Sequence, residues 1–198
     1  MNSYNGSIHH HDPQTKDENA RTVQQFIGAE HDHGNLGGAP GLVGSDLTAS
    51  DYATLEARWI DRALADRAGL RRVDSLTGGE VIGRNSGNYA GIVIPYFHPG
   101  SDHVREYRLR RDQADLEYDS AGNLRPRQKY LSPPGRPNML YLVPGYSQVI
   151  LGDRSLPIVI TEGEFQTLAL WRLAHYGPAS QLRFLPHGVS GERESVEA

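Results

Sequence analysis

The chain has 198 residues, 37% of them hydrophobic and 22% charged, with 20 Lys and Arg against 24 Asp and Glu for a formal charge of -4. No apolar run approaches the roughly 18 residues that a membrane-spanning helix needs, no secretory signal opens the sequence, and the absence of cysteine excludes a disulfide framework and thiolate metal sites. A cytoplasmic chain forming one domain, or two small ones packed together, is the expectation.

Residues 1–46 are rich in Gly, Asn, His and Asp and carry only Lys16 and Arg21 against Asp12, Asp17, Glu18, Glu30, Asp32 and Asp46, so this segment alone accounts for the -4. With little apolar surface to offset the entropy of ordering, it reads as a flexible acidic tail. It also holds His9, His10, His11, His31 and His33, whose geometry nothing in the sequence fixes. Ser50 or Asp51 is placed to cap a helix in which Tyr52, Leu55, Trp59, Ala63 and Leu64 recur at helical spacing, with Gly69 as a left-handed stop. A short strand is predicted at Glu80 to Ile82, then a turn through Asn85 to Asn88 and an apolar strand from Ala90 to Phe97.

The segment VREYRLRR, Val104 to Arg111, alternates with neither face cleanly apolar: Arg105, Tyr107, Leu109 and Arg111 share one side, Val104, Glu106, Arg108 and Arg110 the other. Four arginines in seven residues suit either a solvated edge strand or a strand that presents cations to phosphates. Asp112 to Asn123 reads as a surface hairpin or loop, and Met139 to Val143 as the best strand of a proline-punctuated stretch. Further on, Leu156 to Thr161 is patterned as a buried strand, Phe165 to His175 as a helix, and Leu182 to Leu185 as a strand parallel to the first. Glu162 and Glu164 fall at the strand-to-helix junction, where ligands of parallel sheets collect. Paired carboxylates there serve as a general base or as Mg²⁺ ligands, or simply offset the helix dipole. His187, in PHGVSG, is expected on a loop after the second parallel strand, either touching a substrate or capping the core.

Three segments, in this order, carry a resemblance: AGIVIPYF followed by VREYRLRR, then KYLSPPGRPNMLY, then LPIVITEGEFQTLAL. Together they resemble bacterial-type DNA primases, and most closely the Toprim-like domain of phage- and plasmid-type primase-helicase proteins, over about residues 47–191. The fold implied is α/β, with a primase-like mixed α+β subdomain at 47–150 and the start of a parallel-sheet Toprim-like fold, one β-α-β unit, at 151–198. The resemblance makes Glu162 the Toprim glutamate and catalytic carboxylate, with Glu164 as a second carboxylate. It makes Arg108, Arg110 and Lys129 phosphate contacts to nucleic acid or nucleotide. It implies Mg²⁺ or Mn²⁺, single-stranded DNA or a primed template with nucleotides, and a helicase domain in the same protein. Two departures stand against catalysis: Gln166 replaces the family's aspartate four residues after the glutamate, and only Glu192, Glu194 and Glu197 follow where an Asp-x-Asp belongs. The expectation is therefore the N-terminal part of a protein for metal-assisted nucleotidyl transfer, inactive by itself, or a non-catalytic nucleic-acid-binding or interaction module with a degenerate Toprim fold. A metabolite-binding α/β domain unrelated to DNA is the third reading.

Overall fold

The computed structural model describes residues 41–177 and 182–189. Val43 and Ser45 already belong to the fold: the Val43 amide donates to the Tyr107 hydroxyl at 3.2 Å, and Ser45 exchanges backbone bonds of 2.8 and 2.9 Å with Arg72. The five tail histidines lie outside the described residues.

Where one long helix was expected, two short ones form, α1 (Ala49–Glu56) and α2 (Arg62–Arg67). Thr48, rather than Ser50 or Asp51, caps α1. Its hydroxyl accepts from the Asp51 amide and the Asp51 carboxylate accepts from the Thr48 amide, a reciprocal capping box. Between the helices Trp59 takes a left-handed φ of 66°, a rare conformation for a residue with a side chain, and Ile60 beyond it is fully buried. Gly69 is left-handed as predicted, with φ 68°.

After β1 (Arg71–Val73), the predicted strand at 80–82 is instead the end of a helix, α3 (Ser75–Val81), capped by Asp74. Its two glycines hide it from propensity, and packing explains them: a Cβ on Gly78 would lie 2.1 Å from the Tyr89 carbonyl oxygen, and one on Gly79 2.5 Å from that of Arg84. Then follow β2 (Gly91–Phe97), β3 (Val104–Arg111), an exposed hairpin of β4 (Leu116–Tyr118) and β5 (Leu124–Pro126), and β6 (Tyr130–Leu131). The main sheet is antiparallel in the order β1-β2-β3-β6.

That order corrects the edge-strand reading of VREYRLRR, because β3 lies between β2 and β6 and buries Arg108, Arg110 and Arg111. Its alternation now has a cause. Both faces of the sheet are covered, so β2 sends Ile92, Ile94 and Tyr96 into one core cluster and Val93 into another. Arg110 and Arg108 pair with Ile92 and Ile94 and share their face.

The chain continues through β7 (Leu140–Leu142), α4 (Gln148–Leu151), β8 (Ile158–Glu162), α5 (Glu164–Ala174) and β9 (Leu185–Val189). These strands form a second sheet, β7-β9-β8, in which β8 and β9 are parallel and β7 joins β9 antiparallel; the parallel orientation is the one predicted, but the strand expected at Leu182 to Leu185 instead begins at Leu185 and runs on through the PHGV segment. The architecture is thus mixed α/β. The larger core cluster runs across both sheets, joining Leu55, Ile60 and Leu64 to Ile94, Tyr141, Phe165, Leu168 and Leu185. β8 differs from the buried strand expected of it: among the described residues it is an edge, and Ile158 and Ile160 are 62% and 66% exposed. No described helix is long and apolar enough to cross a membrane.

At the C-terminal end of α5, half-buried His175 tilts against the Trp171 ring at 4.0 Å and stacks on Tyr146 at 6.5 Å. Burial holds its pKa below the ordinary 6.5, and the Arg67 charge acts in the same direction, against a bond to the Trp171 carbonyl. The unfolded chain therefore takes up this proton first, and stability contributed here is present above pH 6.5 and drains as pH falls below it. Urea midpoints should decline with acidification in the native sequence and more shallowly in His175→Phe; parallel curves would refute the assignment.

Candidate functional site

β8 ends at Glu162, and the chain turns into α5 through Gly163, at φ 88° and ψ 159°, a conformation open to glycine. The turn is pinned on both sides. The Gly163 amide donates to the Val189 carbonyl at 3.0 Å, and its own carbonyl accepts from the Thr167 hydroxyl at 2.8 Å. Glu162 stands exposed at this strand end.

Glu164, two residues on, points the other way, into the core, and is 1% exposed. One oxygen, Oε1, accepts from the Tyr96 hydroxyl at 2.6 Å and from Arg108 Nη1 at 3.1 Å. Arg108 Nε in turn donates to the Ser132 hydroxyl at 2.8 Å. The network ties IPYF, VREYRLRR, KYLSPP and TEGE together, so the segments that carry the primase resemblance meet at one buried ion pair. Burial, and then the Glu164 charge, push the Tyr96 phenol far up, so it stays a donor. Burial is the largest influence and works against the Arg108 cation, but the charge of Glu164 together with the interactions with Tyr96 and the hydrogen bond to Glu164 outweigh it and raise the pKa.

Glu162 and Glu164 therefore do not converge. Gln166 folds back on the turn, its Oε1 2.8 Å from where a Gly163 Cβ would stand, and supplies an amide where the family has a carboxylate. No group of three or more His, Asp or Glu among the described residues could hold a metal ion. One exposed carboxylate beside a neutral amide does not fit Mg²⁺ or Mn²⁺, hard ions that take several oxygens.

The remaining predicted cations are backbone neighbours across the β3-β6 pairing, where the Arg111 amide donates to the Lys129 carbonyl at 2.8 Å. Arg110 is 8% exposed, with its guanidinium 5.3 Å from the Phe165 ring centroid and 6.0 Å from that of Tyr130. Its Nε has no hydrogen-bond partner, and no carboxylate pairs with it, among the described residues. Lys129 precedes Tyr130, the residue registered opposite Arg110. Burial lowers the Lys129 pKa first, and the charges of Arg110 and, more weakly, Arg58 lower it further against an opposing pull from Asp112. Asp112 is itself engaged, accepting from Arg72 at 2.5 Å. Arg58, exposed in the bend before Trp59, also acts on Tyr130. Of these cations, Arg110 is the one seated against the Tyr130 ring.

Arg111, by contrast, is neutralised: it donates to Asp115 at 2.5 Å and to the Gln128 carbonyl at 2.8 Å. His187 lies within β9 rather than on a loop, between Leu142 and Ile160 in register, half-buried. Sequence reasoning missed Arg58, Tyr96, Tyr130 and Ser132 as groups that act on these residues. Tyr130 and Ser132 stood inside a quoted motif, whereas Arg58 had no local signal.

No protein-family profile, no curated protein and no solved structure matches this chain.

Proposed function

We propose that this chain is a non-catalytic nucleic-acid-binding module, its β8-α5-β9 unit a degenerate form of the Toprim opening. The observation that carries the reading is Arg110, buried against the Tyr130 and Phe165 rings with no carboxylate paired to it among the described residues. Burying an unpaired charge is costly, and an incoming phosphate would relieve that cost. Tyr130 adds an aromatic surface of the kind on which unpaired bases stack, which favours single-stranded DNA as the partner. Nucleotidyl transfer has less support, since Glu164 is committed to Arg108 and Tyr96.

Anisotropy titration of fluorescent single-stranded DNA over a series of salt concentrations tests this. Binding should weaken with salt, and the double variant Arg58→Ala, Lys129→Ala should bind more weakly with a log-log slope shallower by roughly 1.4, or about 0.7 for each phosphate of a single strand that is no longer neutralised. Both side chains reach solvent, so the variant should keep its fold. Absence of binding at low salt, or a slope untouched by the substitutions, would refute the reading.

A further inference from the structure

Two apolar faces of this chain lie open to solvent among the described residues. The first belongs to the β4-β5 hairpin, which pairs with neither of the other sheets. Its register sets Leu116 opposite Pro126 and Tyr118 opposite Leu124, and strand alternation gathers all four on one side. Leu116, Tyr118 and Leu124 are 62%, 75% and 53% exposed. The charges of this arm are already paired within the chain. Glu117 meets Arg127 and Asp119 meets Arg125, both at 2.6 Å, while Asp115 meets buried Arg111, which also holds the Gln128 carbonyl and so clamps both ends of the hairpin. A lone hairpin is marginal in water, so an arm anchored this firmly with its apolar side outward is suited to being covered.

The second face belongs to the β7-β9-β8 sheet. α5 covers the side that carries Gly188 and Tyr141, where a Cβ on Gly188 would meet Thr167. Alternation puts Leu140, Val189, Ile158 and Ile160 on the opposite side, and all four are exposed. Each face alone offers roughly 400 Å² of large apolar side chain, half of what a specific interface takes from each partner, whereas the two together reach about 800 Å². A second copy supplies the cover for both. We propose that two copies of this chain associate about a two-fold axis, the β4-β5 arm of each lying across the open face of the other's second sheet. The contact packs sheet on sheet and is closed by its symmetry. Glu117 and Arg125 lie on the far side of the arm, opposite each other in register, so the association leaves their charges in water.

Sedimentation velocity of the full chain, from low to high micromolar concentration, tests the association. The native chain should pass from monomer to dimer. Tyr118→Ser on the arm and Ile160→Lys on the sheet should each weaken the dimer about tenfold or more, because each damages both contacts at once. Both side chains are exposed, so neither change should disturb the fold. Mixing the two variants is the sharper measurement. The undamaged arm of the Ile160→Lys chain can then meet the undamaged sheet of the Tyr118→Ser chain, so the mixture should associate more tightly than either variant by itself. A dimer that survives Ile160→Lys but not Tyr118→Ser packs arm on arm, the converse packs sheet on sheet, and either result overturns the proposal. A native chain that stays monomeric throughout overturns it as well and leaves both faces to a partner of different sequence. Assemblies that grow past the dimer overturn the closed two-fold.

Discussion

Replacing Arg108 with alanine should destabilise the fold by about 3–5 kcal/mol, the usual cost of stranding one member of a buried ion pair. Arg108 and Glu164 are 3% and 1% exposed, so the carboxylate left behind has no route to water. Tyr96 would still donate to it, but one neutral donor does not replace a guanidinium. Urea denaturation gives the number. The control is the double replacement Arg108→Met, Glu164→Leu, which removes both charges while filling similar volume and should recover most of the loss. An Arg108→Ala variant within about 1 kcal/mol of the native protein would mean that the pair is solvated or supported in some other way. The comparison also matters for function: Arg108, which the primase resemblance assigns to a phosphate, has its charge already engaged, so a binding defect in its variant would be inseparable from unfolding.

Gly188→Ala should cost about 1–3 kcal/mol through overpacking. A Cβ there would stand 2.4 Å from the Thr167 hydroxyl and 3.2 Å from both the Gly163 carbonyl and the Tyr141 Cβ. Thr167 has little room to yield, being fully buried and bonded to Gly163. Adding Thr167→Ala should therefore make the glycine substitution markedly cheaper than it is alone, and thermal melts of the four combinations read that coupling. Simple additivity would show that the helix and sheet separate here at little cost. The site beside them is the turn that carries Glu162, so the same pair of substitutions asks how rigidly that carboxylate is presented.

Much of this fold could be read from the chain where periodicity and packing agree. The Gly91–Phe97 strand and the Glu164–Ala174 helix follow from their patterns, and so does the parallel orientation of β8 and β9, although β9 starts only at Leu185, where the predicted strand ends. Reading fails where a distant partner changes what a residue means. An arginine in β3 looks solvated until a glutamate 56 positions away is known to meet it. The bend at Trp59 has neither Gly nor Pro to announce it, and α3 contains two glycines that propensity counts against a helix. The candidate site divides in the same way. Local sequence singles out Glu162, Arg110 and Lys129, but the exposure of Glu162 and the burial of Arg110 against two aromatic rings belong to tertiary structure.

The exposed edge of the second sheet gives Glu162 a role that no reaction requires. Ile158, Val159 and Ile160 form an apolar, β-prone run on an edge that no strand among the described residues pairs, the kind of segment that recruits identical copies into aggregates. Pro157 stands at one end of it and Glu162 at the other, a residue that cannot donate a ladder bond and a charge that repels its own image. Neutralising Glu162 to probe catalysis would also remove a gatekeeper, so a loss of activity in such a variant could reflect lost solubility instead of lost chemistry.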